Sequence, residues 1–259
     1  MSLWLLGGHD PTHGAGLYRD LVTAKQVAPG LPRYFAVTAR TEQGAGRPAR
    51  AWPVDATRLR ARVRRWPAPS AIKVGLVPDE LVDTIVALVG ATGAPVVVDP
   101  VLRASDGGAL GATPMGLRAL LRRATLITPN RDEALALAST SLLEGEPLAE
   151  AVARKFPGVA VLLKDGHGTD PRHVRDRLLV DGRSIVLERP RVPGPDPRGT
   201  GCALATAIAA SLARGIALAQ SARESVDWLD RQRANWILGP DGRPHLPDAR
   251  ARGDRFGPH

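Results

Sequence analysis

The chain has 259 residues, 44% of them apolar, which is long enough for one large α/β domain with a sizeable core. Its single cysteine excludes an internal disulfide and fits a reducing cytoplasm, and no apolar run reaches the roughly 18 residues of a membrane span. The net charge of +9 comes almost wholly from arginines scattered among alanine and proline, with four lysines (Lys25, Lys73, Lys155 and Lys164); the densest cluster, Arg58 to Arg65, has the helical spacing of a solvated face, so neither a nucleic-acid nor a membrane partner is expected.

Strand and helix signals alternate along the chain, which predicts helices packed on a mainly parallel sheet. Residues 3–6 form a short apolar strand stopped by Gly7 and Gly8, and 17–27 a helix. A strand at 34–38, a helix at 55–66, a strand at 71–75 and a helix at 79–89 follow. Three successive valines make 95–99 the clearest buried strand. Next come a helix at 116–123, a strand at 125–128, a helix at 130–138 and a strand at 159–164. Residues 174–180 and 184–188, separated by Asp181-Gly182-Arg183, predict a hairpin. A proline-rich loop then leads to Gly199-Thr200-Gly201-Cys202 and an apolar helix over 203–214. One domain over 1–240 is expected, with 241–259 loosely ordered.

The chemistry-bearing residues fall where strands end. Gly199 to Cys202 is a glycine turn feeding a helix N-terminus, where unpaired N–H groups and the macrodipole favour an anion. A thiol in that position, Cys202, is expected to have a lowered pKa. The glycine loop Gly7 to Gly16 follows the first strand but lacks the third glycine of a dinucleotide fingerprint, and there is no P-loop, no HExxH and no GxSxG. In Thr128-Pro129-Asn130-Arg131-Asp132-Glu133 the amide and the carboxylate lie one turn apart. The spacing suits a helix capping box first, and after it a hold on Mg²⁺ or its waters beside a phosphate. Lys164, scarce by type and at a strand end before a glycine, suits a phosphate contact, or else a surface lysine before a turn. Together these are parts for phosphoryl transfer.

Read in order, the motifs resemble the hydroxymethylpyrimidine and phosphomethylpyrimidine kinases of thiamine biosynthesis, within the ribokinase-like fold. The likeness runs from about Leu3 to Trp236. It rests on Gly8-His9-Asp10-Pro11 with Gly14-Ala15-Gly16 and Asp20, Ile72-Lys73-Val74-Gly75, Val98-Asp99-Pro100-Val101, Ile127 to Glu133, Lys164-Asp165-Gly166-His167 and Gly199 to Cys202. The resemblance implies a central, mainly parallel sheet with helices on both faces, and ATP with Mg²⁺ phosphorylating a pyrimidine hydroxymethyl group or its monophosphate in the cytoplasm. It implies pyrimidine contacts from Gly8, Asp20 and Gln43, with Leu76 and Val101 near the ring. Gly199, Thr200, Gly201 and Cys202 would form the anion hole, Lys164 would neutralise charge, and Asn130 with Glu133 would organise metal and phosphates. A homodimer is left open.

The chain departs from the family pattern at His13, where a glycine is usual, at Tyr18 and Arg19, which replace Gln-Ala, at Asp165, which replaces glycine, and at Arg198, where histidine is common. The segment between Asn130 and Lys164 is shorter. A pyridoxal-type kinase and a non-catalytic pyrimidine-binding regulator are the competing readings.

Overall fold

Alternation of apolar side chains along each strand decides the layering of this protein. The computed structural model describes residues 1–44, 47–103, 110–166, 168 and 170–248, with only the backbone for 43–44 and 47–48. In the first strand, β1 (Leu3–His9), Leu3 and Leu5 enter one core while Trp4 and Leu6 enter another. The pattern repeats in β4 (Ala71–Val74), β5 (Val96–Val98), β6 (Leu126–Ile127) and β7 (Ala160–Leu163), so every central strand is buried on both faces.

Between these strands the chain forms α1 (Gly16–Val27), β2 (Arg33–Gly44), β3 (Arg47–Pro53), α2 (Ala56–Val63), α3 (Val82–Gly90), α4 (Arg118–Leu121), α5 (Arg131–Ala138) and α6 (Gly145–Lys155). It continues with β8 (His173–Val180), β9 (Arg183–Pro190), α7 (Thr200–Ala213), α8 (Leu218–Ala234), β10 (Ile237–Leu238) and β11 (Pro244–His245). The main sheet has the order β3-β2-β1-β4-β5-β6-β7-β8-β9. The strands from β2 to β7 are parallel, and antiparallel partners close both edges. Helices α2 to α6 cover one face, and α1, α7 and α8 the other. This is the expected fold class, and it sets the ends of β1, β4, β5, β6 and β7 along one edge, where ligands of open parallel sheets bind.

α7 is apolar around almost its whole circumference because it is enclosed by α1, α8, β4 and β5. One charged pair crosses this interior. Lys73, on the β4 face that looks toward α1 and α7, donates to both oxygens of Asp20 at 2.7 and 2.8 Å. Thr206 of α7 donates to the same carboxylate at 2.9 Å. Lys73 is 1% and Asp20 0% exposed. Burial alone would pull the lysine down, yet Asp20 beside it holds its pKa above the ordinary value.

Several elements differ from the sequence-based expectations. The strand predicted at 34–38 runs on through Gly44 and turns back as β3. In it buried Ala39 and Thr41 alternate with exposed Arg40 and Glu42, charges suited to a strand near the sheet edge. Helices α6 and α8 were not predicted; each starts without a side-chain cap, at Glu144 and Ala217. The stretch after 240, expected to be loosely ordered, is held through Asp248: β11 pairs with β10, and Leu246 is 1% exposed. Residues 249–259 lie outside the described part.

Removing one partner of a buried pair strands the other charge, at a cost of about 3–5 kcal/mol. Lys73→Met is therefore expected to lower the urea unfolding free energy by about that amount, and the double variant Lys73→Met/Asp20→Asn by clearly less. Equal losses in the two proteins would show that the pair does not carry this energy.

Candidate active site

The residue that opens α7 can only be glycine. Gly199 has φ +78°, and a Cβ on it would stand 2.2 Å from the Gly14 carbonyl oxygen and 3.0 Å from Arg19 Cγ. The second glycine loop is packed as tightly: a Cβ on Gly16, at φ +61°, would meet the Gly8 oxygen at 2.4 Å. The two glycine segments, far apart in sequence, thus lie against each other. Gly16 N–H also donates to the Cys202 sulfur, linking the loop to the first turn of α7.

Opposite that turn stands Lys164. A Cβ on Gly201 would lie 3.1 Å from Lys164 Nζ and 3.4 Å from Asp99 Oδ2, so the missing side chain lets an ammonium and a carboxylate approach the helix mouth. Lys164 Nζ donates to Asp99 Oδ1 at 3.0 Å, and Thr128 Oγ1 donates to the same oxygen at 3.2 Å. Against the cost of burial, Asp99 and Glu133 keep the lysine above its ordinary pKa. Asn130 and Lys164 are bridge partners at the ends of β6 and β7, with Lys164 N–H donating to Pro129 O at 2.9 Å. Gly199, Thr200, Gly201, Cys202, Lys164 and Asn130 are therefore gathered at one sheet edge.

Asn130 and Glu133 form a full capping box. Asn130 Oδ1 accepts from Glu133 N at 2.9 Å, and Glu133 Oε2 accepts from Asn130 N at 2.8 Å. Glu133 also accepts from Leu102 N–H and faces Lys164 and Asp99. Burial pushes its carboxyl up to about 7, with Lys164 opposing and Asp99 adding to the rise. Among the described residues no three His, Cys, Asp or Glu side chains form a ready metal cage.

At the other end, Gly8 is closed against Leu76, whose Cδ2 would be 2.6 Å from a Cβ there. Leu76 forms a small apolar cluster with Ala39, Ala49 and Leu110, against which Val101 packs. Gly111 lies directly on the Val101 carbonyl, 1.8 Å from the place of a Cβ. The side chain of Gln43 and all of His167 fall outside the described residues. Asp20, carried over as a pyrimidine contact, is here enclosed under Gly7 with both oxygens engaged by Lys73 and one also by Thr206. It supports the floor of the site and does not face an opening.

Two departures from the family pattern are accommodated locally. His13 takes φ +62°, costly for a residue with a Cβ, and its ring stacks on Tyr18 at 4.5 Å. Asp165 turns from Lys164: it accepts from Arg175 N at 3.3 Å, while its own N–H donates to buried Asp176 at 2.7 Å. Residues that the sequence reading did not place in the site are Asp99, Thr128, Lys73 and Thr206. The first and third carried a signal, a charge at the end of or inside an apolar strand.

The expected lowering of the Cys202 pKa is reversed. Burial pushes the thiol up to about 11; Lys73 pulls it down, but Asp20 and Asp99 push the other way, and the Gly16 N–H only partly offsets them. The field of two carboxylates and the loss of water outweigh the helix terminus, so Cys202 rests as a neutral thiol. Its alkylation by iodoacetamide is expected to rise about tenfold per pH unit from pH 8 through 10, following the thiolate fraction. A plateau below pH 9 would contradict this.

Residues 10–239 match the family described as Phosphomethylpyrimidine kinase. A hydroxymethylpyrimidine/phosphomethylpyrimidine kinase of Streptomyces coelicolor is 33% identical over 235 residues, covering 86% of this chain and 85% of that one. One from Mycobacterium tuberculosis is 33% identical over 261 residues, covering 93% and 92%. Among solved structures, the pyridoxal kinase of Staphylococcus aureus in complex with AMP-PCP and pyridoxal superposes with a TM-score of 0.83 at 22% identity, over 95% of this chain and 92% of that one, a likeness of ribokinase-like fold alone. With the motif order, the shared sheet edge and these full-length relatives in agreement, the chain belongs to the phosphomethylpyrimidine kinase family.

Proposed function

We propose that this protein transfers the γ-phosphoryl group of ATP to the hydroxymethyl oxygen of 4-amino-5-hydroxymethyl-2-methylpyrimidine, or to the phosphate of its monophosphate, in thiamine biosynthesis in the cytoplasm. The observation that carries the reading is the approach of Lys164 to the first turn of α7, made possible by the bare Gly201. Phosphoryl transfer passes through a loose transition state whose charge lies on the peripheral oxygens, so catalysis is mostly positioning and charge stabilisation. The N–H groups of the Gly199 to Cys202 turn and the Lys164 ammonium supply donors and positive charge at one place.

Gly8, Leu76 and Val101 form the wall against which the flat pyrimidine ring packs. The neutral Cys202 thiol orients the attacking hydroxyl by hydrogen bonding; it does not wait as a preformed base. Mg²⁺ fits the donor chemistry as an ion carried by the nucleotide, because this metal needs only one or two protein carboxylates beside phosphate oxygens and water. Asp99 and Glu133 are those carboxylates, and the ion would neutralise phosphate charge when bound. The Asn130 amide nitrogen, a donor, suits a phosphate oxygen. The accommodation of His13 and Asp165 without intrusion on Lys164 favours a working kinase over a silent regulator.

ADP release measured with the hydroxymethylpyrimidine, its monophosphate and pyridoxal offered separately tests the reading. Turnover is expected with the pyrimidines; turnover on pyridoxal alone would overturn it, and tight pyrimidine binding without ADP would mean a regulator. Gly199→Ala, which drives a methyl group into the Gly14 carbonyl, should lower kcat by about a hundredfold or more.

A further inference from the structure

Three of the residues that depart from the family pattern beside the two glycine loops, Tyr18, Arg19 and Arg198, share one partner, the chain beyond α8. Arg19, 2% exposed, donates to Leu246 O at 2.9 Å, to Pro247 O at 3.2 Å and to Asp248 Oδ1 at 3.1 Å. Tyr18 hydroxyl donates to Asp248 Oδ2 at 2.9 Å. Arg198 N–H donates to Pro244 O at 2.8 Å, and its guanidinium lies 3.0 Å from Asp10 Oδ2 and 3.7 Å from Asp241 Oδ2. His245, 3% exposed and paired with Asp241 at 2.8 Å, fills the space over Gly14, where a Cβ would meet its ring at 2.8 Å.

These contacts continue into the site. Asp10, gripped by Arg198, accepts Thr12 N–H, the Thr12 hydroxyl and Ala15 N–H at 2.9 to 3.0 Å, which shapes the loop up to Gly16. Arg198 directly precedes Gly199, and Arg19 Cγ lies against Gly199 itself. Residues 240–248 fall beyond the span 10–239 that matches the family, while Tyr18, Arg19 and Arg198, which receive them, fall within it.

We propose that residues 237–248 act as a built-in strap that positions the Gly14 to Gly16 loop and the Gly199 turn for phosphoryl transfer, with Arg198 and Arg19 as positioning residues. The proposal rests on the reading of the α7 turn as the phosphoryl site. Its energetic sense is preorganisation. A glycine turn is the least rigid of backbones, and donors that must match a transition state lose effect when the turn wanders by a fraction of an ångström. Bidentate guanidinium forks against carbonyls and carboxylates, shut away from water, supply that rigidity from outside the turn.

Arg19→Ala installs the family's usual residue and releases the strap at three contacts. Hydrogen exchange read by mass spectrometry is expected to speed up together in 240–248, 10–16 and 197–201. At the same time kcat should fall by about tenfold or more while KM for ATP stays within about twofold, the split that distinguishes positioning from binding. Asp248→Asn, at a partly exposed residue, cannot unfold the core and should shift both readouts the same way by less; it decides the matter if Arg19→Ala does not fold. Faster exchange in 240–248 with kcat and the glycine loops unchanged would overturn the proposal. If the unsubstituted protein turns over no pyrimidine, the kinase reading falls, and the joint or separate opening of strap and loops still decides whether the strap holds them.

Discussion

The Lys73–Asp20 pair is the constraint on which the active edge of this protein depends. It joins β4, α1 and, through Thr206, α7 at a point none of them can leave without exposing a bare charge to the core. Apolar contacts are tolerant of sliding; alanine against leucine packs nearly as well one notch along. Two charge-assisted hydrogen bonds to one carboxylate are not. The pair therefore fixes how far α7 sits along the sheet, and with it where Gly199 to Cys202 stands relative to the strand ends. It also lies under Gly7, so the same contact underlies the floor and the wall of the site.

That field has a chemical consequence at Cys202. A helix N-terminus offers a fractional positive charge, effective only within the first turn. Here the half-buried sulfur has the carboxylates of Asp20 and Asp99 for neighbours, whose influence grows as the surroundings lose polarity. Lys73 is spent on Asp20. The thiol thus stays protonated in the resting protein, a condition compatible with a loose transition state, in which the attacking oxygen forms little bond before the leaving group has departed.

Much of the fold was legible because buried strands and capped helices write themselves into local sequence: the valines of β5, the Asn130 and Glu133 box and the Asp181-Gly182 hairpin turn each occupy a few adjacent residues. α6 and α8 were not, since both begin without a capping side chain and declare themselves only by the stripe they bury, such as Ala222, Val226 and Leu229. The hairpin return through β3 was hidden because its inward residues are only Ala49 and Ala51, alternating with exposed Arg50 and Trp52. At the site, the glycine turns and Lys164 could be picked out by type and position. The engagement of Asp20 could not, because its partners lie 53 and 186 residues away and no local pattern records which carboxylate a buried lysine will choose. The reversed shift of Cys202 has the same origin: it is a sum over charges that only tertiary structure brings together.

The basic composition finds its explanation in the same geometry. Two of the four lysines, Lys73 and Lys164, stand at the site, where a compact ammonium can meet a carboxylate or a phosphate as a point charge. Arginine is used elsewhere, as a fork that gathers backbone. Arg191 takes the carbonyls of Asp170, Gly166 and Gly168 and so folds the loop after Lys164, while Arg189 joins Asp176 to Asp230. Arg19 and Arg198 do the same for the chain end. In a protein whose active edge is built from glycine, the loops have little side-chain packing of their own to hold them. A residue with five donors in one plane, charged at every physiological pH, can fix several carbonyls at once and so supplies from a neighbouring segment the order that the glycines lack.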